Sequence, residues 1–110
     1  MVKLLEDLIN LSGISGSESA VRNFIIKEAK KYCKNVSIDK MGNIIVRKKG
    51  AAPSVMFLAH MDEIGLMVNS IDADGKIHIS NIGGIDPIVL IGHRVEIQLP
   101  KGQMNGIITT

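Results

Sequence analysis

Apolar and polar positions recur with two different periods along this chain, and the change of period divides it. Leu4, Leu5, Leu8, Ile9 and Leu11 follow helical spacing, which predicts a short amphipathic helix over 3–11. The run Ser12-Gly13-Ile14-Ser15-Gly16-Ser17 stops it. Ala20, Val21, Phe24, Ile25 and Ala29 make a second stripe. They predict a helix over 18–33, with Ser17 as its cap and Glu18 in its first turn. From Asn35 the pattern changes. Val36 and Ile38, then Ile44, Ile45 and Val46, read as two strands around Lys40-Met41-Gly42-Asn43. Val55-Met56-Phe57-Leu58-Ala59 is a continuous apolar run, the pattern of a strand buried on both faces.

The remainder reads as short strands over 64–71, 76–82, 94–99 and 104–110. Asp72-Ala73-Asp74-Gly75, Gly83-Gly84-Ile85-Asp86-Pro87 and Pro100-Lys101-Gly102 separate them. The early part is α/β in style and the part after about residue 66 is all-β, so a boundary between two structural units is expected there. The final run, Gly106-Ile107-Ile108-Thr109-Thr110, stops where a strand should continue, and the second unit is expected to be incomplete.

Composition narrows the classes. The chain has 110 residues, the length of one ordinary domain, and 45% of them are hydrophobic, enough for a core. Aromatic residues are few (Phe24, Tyr32 and Phe57), so that core must be aliphatic. Thirteen basic and 11 acidic residues leave a net charge of +2, too balanced for a nucleic-acid partner, and base-stacking aromatics are scarce. Lys27, Lys30, Lys31 and Lys34 form a solvated helix face. Cys33 stands alone, which excludes an internal disulfide and suits a reducing compartment. Early acids, Glu6 and Asp7, argue against a signal peptide, and no apolar run is long enough to span a membrane. A cytoplasmic location is the expectation. The Gly-rich loop at 12–17 lacks the Gly-Lys-Ser/Thr ending of a phosphate-binding loop.

The candidate chemistry lies at the end of the apolar run. His60 follows it directly, Asp62 comes two places later, and Glu63, Ile64 and Gly65 follow. Ligands of open α/β sheets gather at the carboxyl ends of strands. In an extended segment His60 and Asp62 point to the same side. That suits an imidazole that binds a metal while a carboxylate holds its other ring nitrogen. The spacing is equally compatible with a structural His. His78 and His93 read as solvent-facing and turn residues, and Asp72, Asp74 and Asp86 as turn acids.

The ordered blocks of this chain carry a resemblance. They are Leu11-Ser12-Gly13-Ile14-Ser15-Gly16-Ser17-Glu18, Asp39-Lys40-Met41-Gly42-Asn43, Leu58-Ala59-His60-Met61-Asp62-Glu63-Ile64-Gly65-Leu66-Met67-Val68, Ile82-Gly83-Gly84-Ile85-Asp86-Pro87 and Gly92-His93-Arg94-Val95. Together they resemble the start of the tetrahedral dinuclear-metal aminopeptidases. These are the deblocking or glutamyl aminopeptidases, some of which have carried an endoglucanase label. The resemblance implies an N-terminal part of a zinc-exopeptidase-like α/β sandwich over 1–66. The start of an inserted β-barrel-like dimerisation domain would follow over 67–110. It implies that His60 ligates one of two divalent metal ions, zinc or cobalt. Asp62 is then the catalytic-site carboxylate that orients it. Peptides are the implied substrate, and homodimers or larger homo-oligomers the implied assembly.

Family members are about three times as long, and their bridging Asp, paired Glu residues, further acidic ligand and second His have no counterpart here. A catalytic zinc takes about three protein ligands. These residues alone are therefore expected to bind metal weakly or not at all and to lack activity. Three readings stand: the N-terminal part of a metallo-aminopeptidase, a non-catalytic truncated product that self-associates through its β segment, and one half of a split enzyme.

Overall fold

The computed structural model describes residues 2–110, which divide into two compact units, with the division along the chain between Glu63 and Ile64. In the first, helix α1 spans Val2–Ile9 and helix α2 spans Ser19–Lys30. Strands β1 (Val36–Ile38) and β2 (Ile44–Val46) pair antiparallel, with Val36 opposite Val46 and Ile38 opposite Ile44. Their turn is built by Asp39. Its carboxylate accepts the backbone N–H of Met41 and of Asn43, each at 2.9 Å, and the Asn43 side-chain amide at 2.8 Å. These donors, the Asn43 amide foremost, hold the Asp39 carboxyl below its ordinary range. Gly42 completes the turn at φ +91°, where a Cβ would also sit 2.7 Å from the Arg22 guanidinium.

Helix α2 starts differently from the expectation. Glu18, not Ser17, holds the cap position, and it makes no side-chain cap bond. Its carboxylate instead folds back to accept the Gly16 N–H at 2.6 Å and pairs with Arg22 at 3.3 Å. The Ser17 N–H is already used on the Ile14 carbonyl, at 2.8 Å. The loop therefore closes on itself before the helix begins.

Val21 on α2 is the one buried large apolar side chain among the described residues. The expected buried strand over Val55–Ala59 is not formed. No residue of that run lies in a strand, and Val55, Met56, Phe57 and Leu58 are 75%, 78%, 92% and 84% exposed. A strand buried on both faces needs hydrogen-bonded neighbours and covering layers. Within this unit the run has neither.

The second unit is two hairpins and a short helix. Strands β3 (Gly65–Ile71) and β4 (Ile77–Ile82) pair antiparallel, with a register shift between Val68 and Ser70. Asp72 shapes their turn by accepting the N–H of Asp74 at 3.1 Å and of Lys76 at 2.7 Å. Helix α3 (Pro87–Leu90), which the sequence pattern did not suggest, is capped by Asp86, whose carboxylate accepts the Ile88 N–H at 3.0 Å. Strands β5 (Arg94–Gln98) and β6 (Gln103–Ile107) form the last hairpin, with Val95 opposite Gly106. The three sheets among the described residues, one in the first unit and two in the second, are each two-stranded. No helix among the described residues is long and apolar enough to cross a membrane.

Candidate metal centre

Two segments of the first unit meet around the His60–Asp62 pair. The loop after α1 lies beside residues 62–63. Ile14 and Glu63 form a parallel bridge, and the Glu63 N–H donates to the Gly13 carbonyl at 2.9 Å. The Gly13 N–H donates in return to the Glu63 carboxylate at 3.3 Å. Gly13 is required for this approach, since a Cβ there would lie 2.6 Å from Cγ2 of Val21. The buried face of α2 thus sets how close the loop comes.

His60 Nδ1 is 3.1 Å from Asp62 Oδ1 and 3.0 Å from the Asp62 carbonyl oxygen. Both neighbours only accept when the carboxylate is ionised, so Nδ1 must carry the proton. In the neutral ring Nε2 then keeps its lone pair, and the His60 side chain is 86% exposed. The other carboxylate oxygen, Oδ2, accepts the Ser15 hydroxyl proton. That hydroxyl foremost, with His60 adding to it, holds the Asp62 carboxyl below its ordinary range.

As a donor set, one neutral imidazole with its second nitrogen tied to a carboxylate fits a metal-ligating His. It supplies one ligand. Among the described residues no three His, Cys, Asp or Glu side chains come together to hold an ion. The site on this chain is one donor and its support.

The other sequence candidates stay apart. His78 Nε2 lies 3.6 Å from Asp72 Oδ2 across the β3–β4 turn, with both side chains accessible. His93 is held through its backbone, its N–H donating to Leu90 and its carbonyl accepting from Ile108. The Cys33 thiol donates to the Arg47 carbonyl at 3.0 Å. Periodicity and spacing missed Ser15, Gly13 and Glu63. Ser15 is 47 positions from Asp62, so no local pattern links them, although it lies within one of the blocks that carry the resemblance.

Comparison with known proteins gives the family. The M42 glutamyl aminopeptidase family matches residues 42–110, and the chain belongs to that family. It is 41% identical over 107 residues to the lysyl aminopeptidase of Pyrococcus furiosus, a match covering 96% of this chain and 31% of that protein. Among solved structures, the TET aminopeptidase of a marine sediment Thaumarchaeota archaeon superposes with a TM-score of 0.90 at 31% identity. That match covers 99% of this chain and 31% of the other. The TET1 peptidase of Pyrococcus horikoshii, described as assembling into a tetrahedron or a large octahedral shell, matches with a TM-score of 0.87 at 36% identity. It covers 98% of this chain and 32% of that one. The chain therefore spans about three tenths of the length of the proteins it matches. Its α/β architecture of small sheets and few helices is that of their N-terminal part.

Proposed function

We propose that these residues form the N-terminal part of a metal-dependent aminopeptidase that removes N-terminal residues from peptides. His60 is a ligand of one of two divalent ions, zinc or cobalt, and Asp62 holds its ring. The observation that carries this reading is the Nδ1–H of His60 facing two acceptors of Asp62, which leaves Nε2 outward. The pair lies inside the stretch matched by the aminopeptidase family. A divalent ion held with the help of His60 would supply Lewis-acid polarisation of a carbonyl and a more acidic water. The part played by this chain is to offer one imidazole donor in a fixed tautomer and orientation.

Residues 67–110 are read as the start of a β-barrel-like unit through which copies of the protein associate in the cytoplasm. Support comes from the apolar side chains that unit leaves exposed, among them Met67, Val68, Ile71, Ile88 and Ile107. The assemblies described for the Pyrococcus horikoshii relative are consistent with it. The same exposed residues favour a second reading, in which the 110 residues act only as a self-associating module without catalysis.

Hydrolysis of an aminoacyl chromogenic substrate with cobalt or zinc decides between them. The 110 residues alone are expected to show no turnover, because one donor is too few to hold a catalytic ion. A chain extended by the remaining two thirds of a family member is expected to be active and to lose that activity in His60→Ala. Cobalt titration of the extended chain, followed at the His60 ring signals, should broaden them at the first equivalents. Undiminished turnover in the extended His60→Ala chain would refute the ligand assignment.

A further inference from the structure

The loop at 12–17 is excluded as a phosphate cradle by its sequence, yet two hydrogen bonds tie it to Glu63 and a third closes it on Glu18. Gly13 is paired with Glu63 in both directions, Ile14 bridges Glu63, and the Gly16 N–H is tied to Glu18. These bonds fix the backbone on either side of Ser15. Its side chain makes one hydrogen bond among the described residues, to Oδ2 of Asp62.

We propose that Ser15 is a positioning residue for the His60–Asp62 pair, holding the Asp62 carboxylate in the rotamer that keeps the His60 ring turned with Nε2 outward. The inference rests on the reading of His60 as a metal ligand and deepens it.

The two oxygens of Asp62 have separate work. Oδ1 faces the ring nitrogen at 3.1 Å, and Oδ2 takes the Ser15 hydroxyl proton. A carboxylate held at one oxygen can still swing about its two side-chain torsions, whereas one held at both cannot. Packing does not do this job, because the Asp62 side chain is 39% exposed and water competes for it. The backbone carbonyl of Asp62 also accepts from Nδ1, at 3.0 Å, and favours the same tautomer, but it does not restrain the carboxylate. Serine suits the position. It is short, has one torsion, and can only donate to an ionised carboxylate. Ser12 and Ser17, in the same loop, make no side-chain hydrogen bond among the described residues, so the contact is specific to one hydroxyl of three.

The test reads the rotamer directly on the metal-free 110-residue chain by isotope-edited NMR. Three-bond couplings report the Asp62 side-chain torsion, and ring ¹⁵N shifts report the His60 tautomer. The native chain is expected to show a single Asp62 rotamer and a dominant Nδ1–H tautomer. Ser15→Ala should average the couplings and lower the tautomer ratio by about threefold, the effect of losing a hydrogen bond of modest net strength. Ser15→Thr, which keeps the hydroxyl, should restore the native pattern, and Ser12→Ala should leave it unchanged. The amide spectrum of each variant checks the fold. Averaged Asp62 couplings in the native chain would overturn the proposal without any mutation. So would native couplings and tautomer in a folded Ser15→Ala. All of these readings are taken without metal. Their failure is separate from that of the ligand assignment, which the cobalt titration and the His60→Ala assay decide.

Discussion

Gly13→Ala is the substitution that most directly challenges the structural account of the site. The added Cβ would meet Cγ2 of Val21 at 2.6 Å, Cβ of Val21 at 3.6 Å and the Met61 carbonyl oxygen at 3.7 Å. Only the first of these is a collision. It cannot be relieved by a side-chain swing, because a valine in a helix has essentially one allowed rotamer. Val21 is also the buried apolar anchor of its unit, 6% exposed. Either α2 or the loop must move, and overpacking of this kind costs about 1–3 kcal/mol. The loop is the weaker party, since it is held by Glu63 through two hydrogen bonds, one of them 3.3 Å long. Urea unfolding followed by helix circular dichroism should show the loss as a lower midpoint with an unchanged slope. The double variant Gly13→Ala/Val21→Ala supplies the check. Val21→Ala removes the colliding methyl group and by itself costs about 1.5 kcal/mol in lost burial. In the Gly13→Ala background it should cost much less, a coupling of about 1 kcal/mol. Additive costs, or a Gly13→Ala midpoint equal to that of the native chain, would refute the claim that contact with α2 sets the position of the loop.

Three further outcomes follow from the same geometry. Gly42→Ala combines a φ of +91° with a Cβ 2.7 Å from the Arg22 guanidinium, so the β1–β2 hairpin should lose about 1 kcal/mol or more, read as faster amide exchange at Ile38 and Ile44. Asp39 is held below its ordinary range in the folded chain. The stability it contributes is therefore complete above the unfolded value, near pH 4, and is lost as the pH falls through the lower folded value; Asn43→Ala should raise the Asp39 midpoint seen by carboxyl NMR. The chain should sediment as a dimer or larger species at micromolar concentration, driven by exposed apolar residues such as Phe57 and Ile107, and a clean monomer would count against this.

The short-range features were legible in the sequence because their causes are local. Asp72-Ala73-Asp74-Gly75 specifies its turn through the Asp72 carboxylate and a glycine at φ +80°, and the alternation on either side then pairs β3 with β4. His60 and Asp62 lie two apart in the chain, so their contact is a local one. The start of α2 was misplaced by one residue because Ser17 and Glu18 are both competent caps, and the choice fell to Gly16, which engages Glu18. Other features depend on partners distant in the chain. The apolar run Val55–Ala59 has the composition of a buried strand, but a strand exists only when another segment accepts its hydrogen bonds and covers its faces, and none does so within these residues. The link from Ser15 to Asp62 spans 47 positions and depends on Gly13 fitting against Val21, a steric fact visible only once the loop and helix are packed. Sequence by itself determined the turns, the hairpins and the chemistry available at residues 60–62. Tertiary structure decided which distant hydroxyl holds that chemistry in place, because such contacts arise from packing and leave no period along the chain.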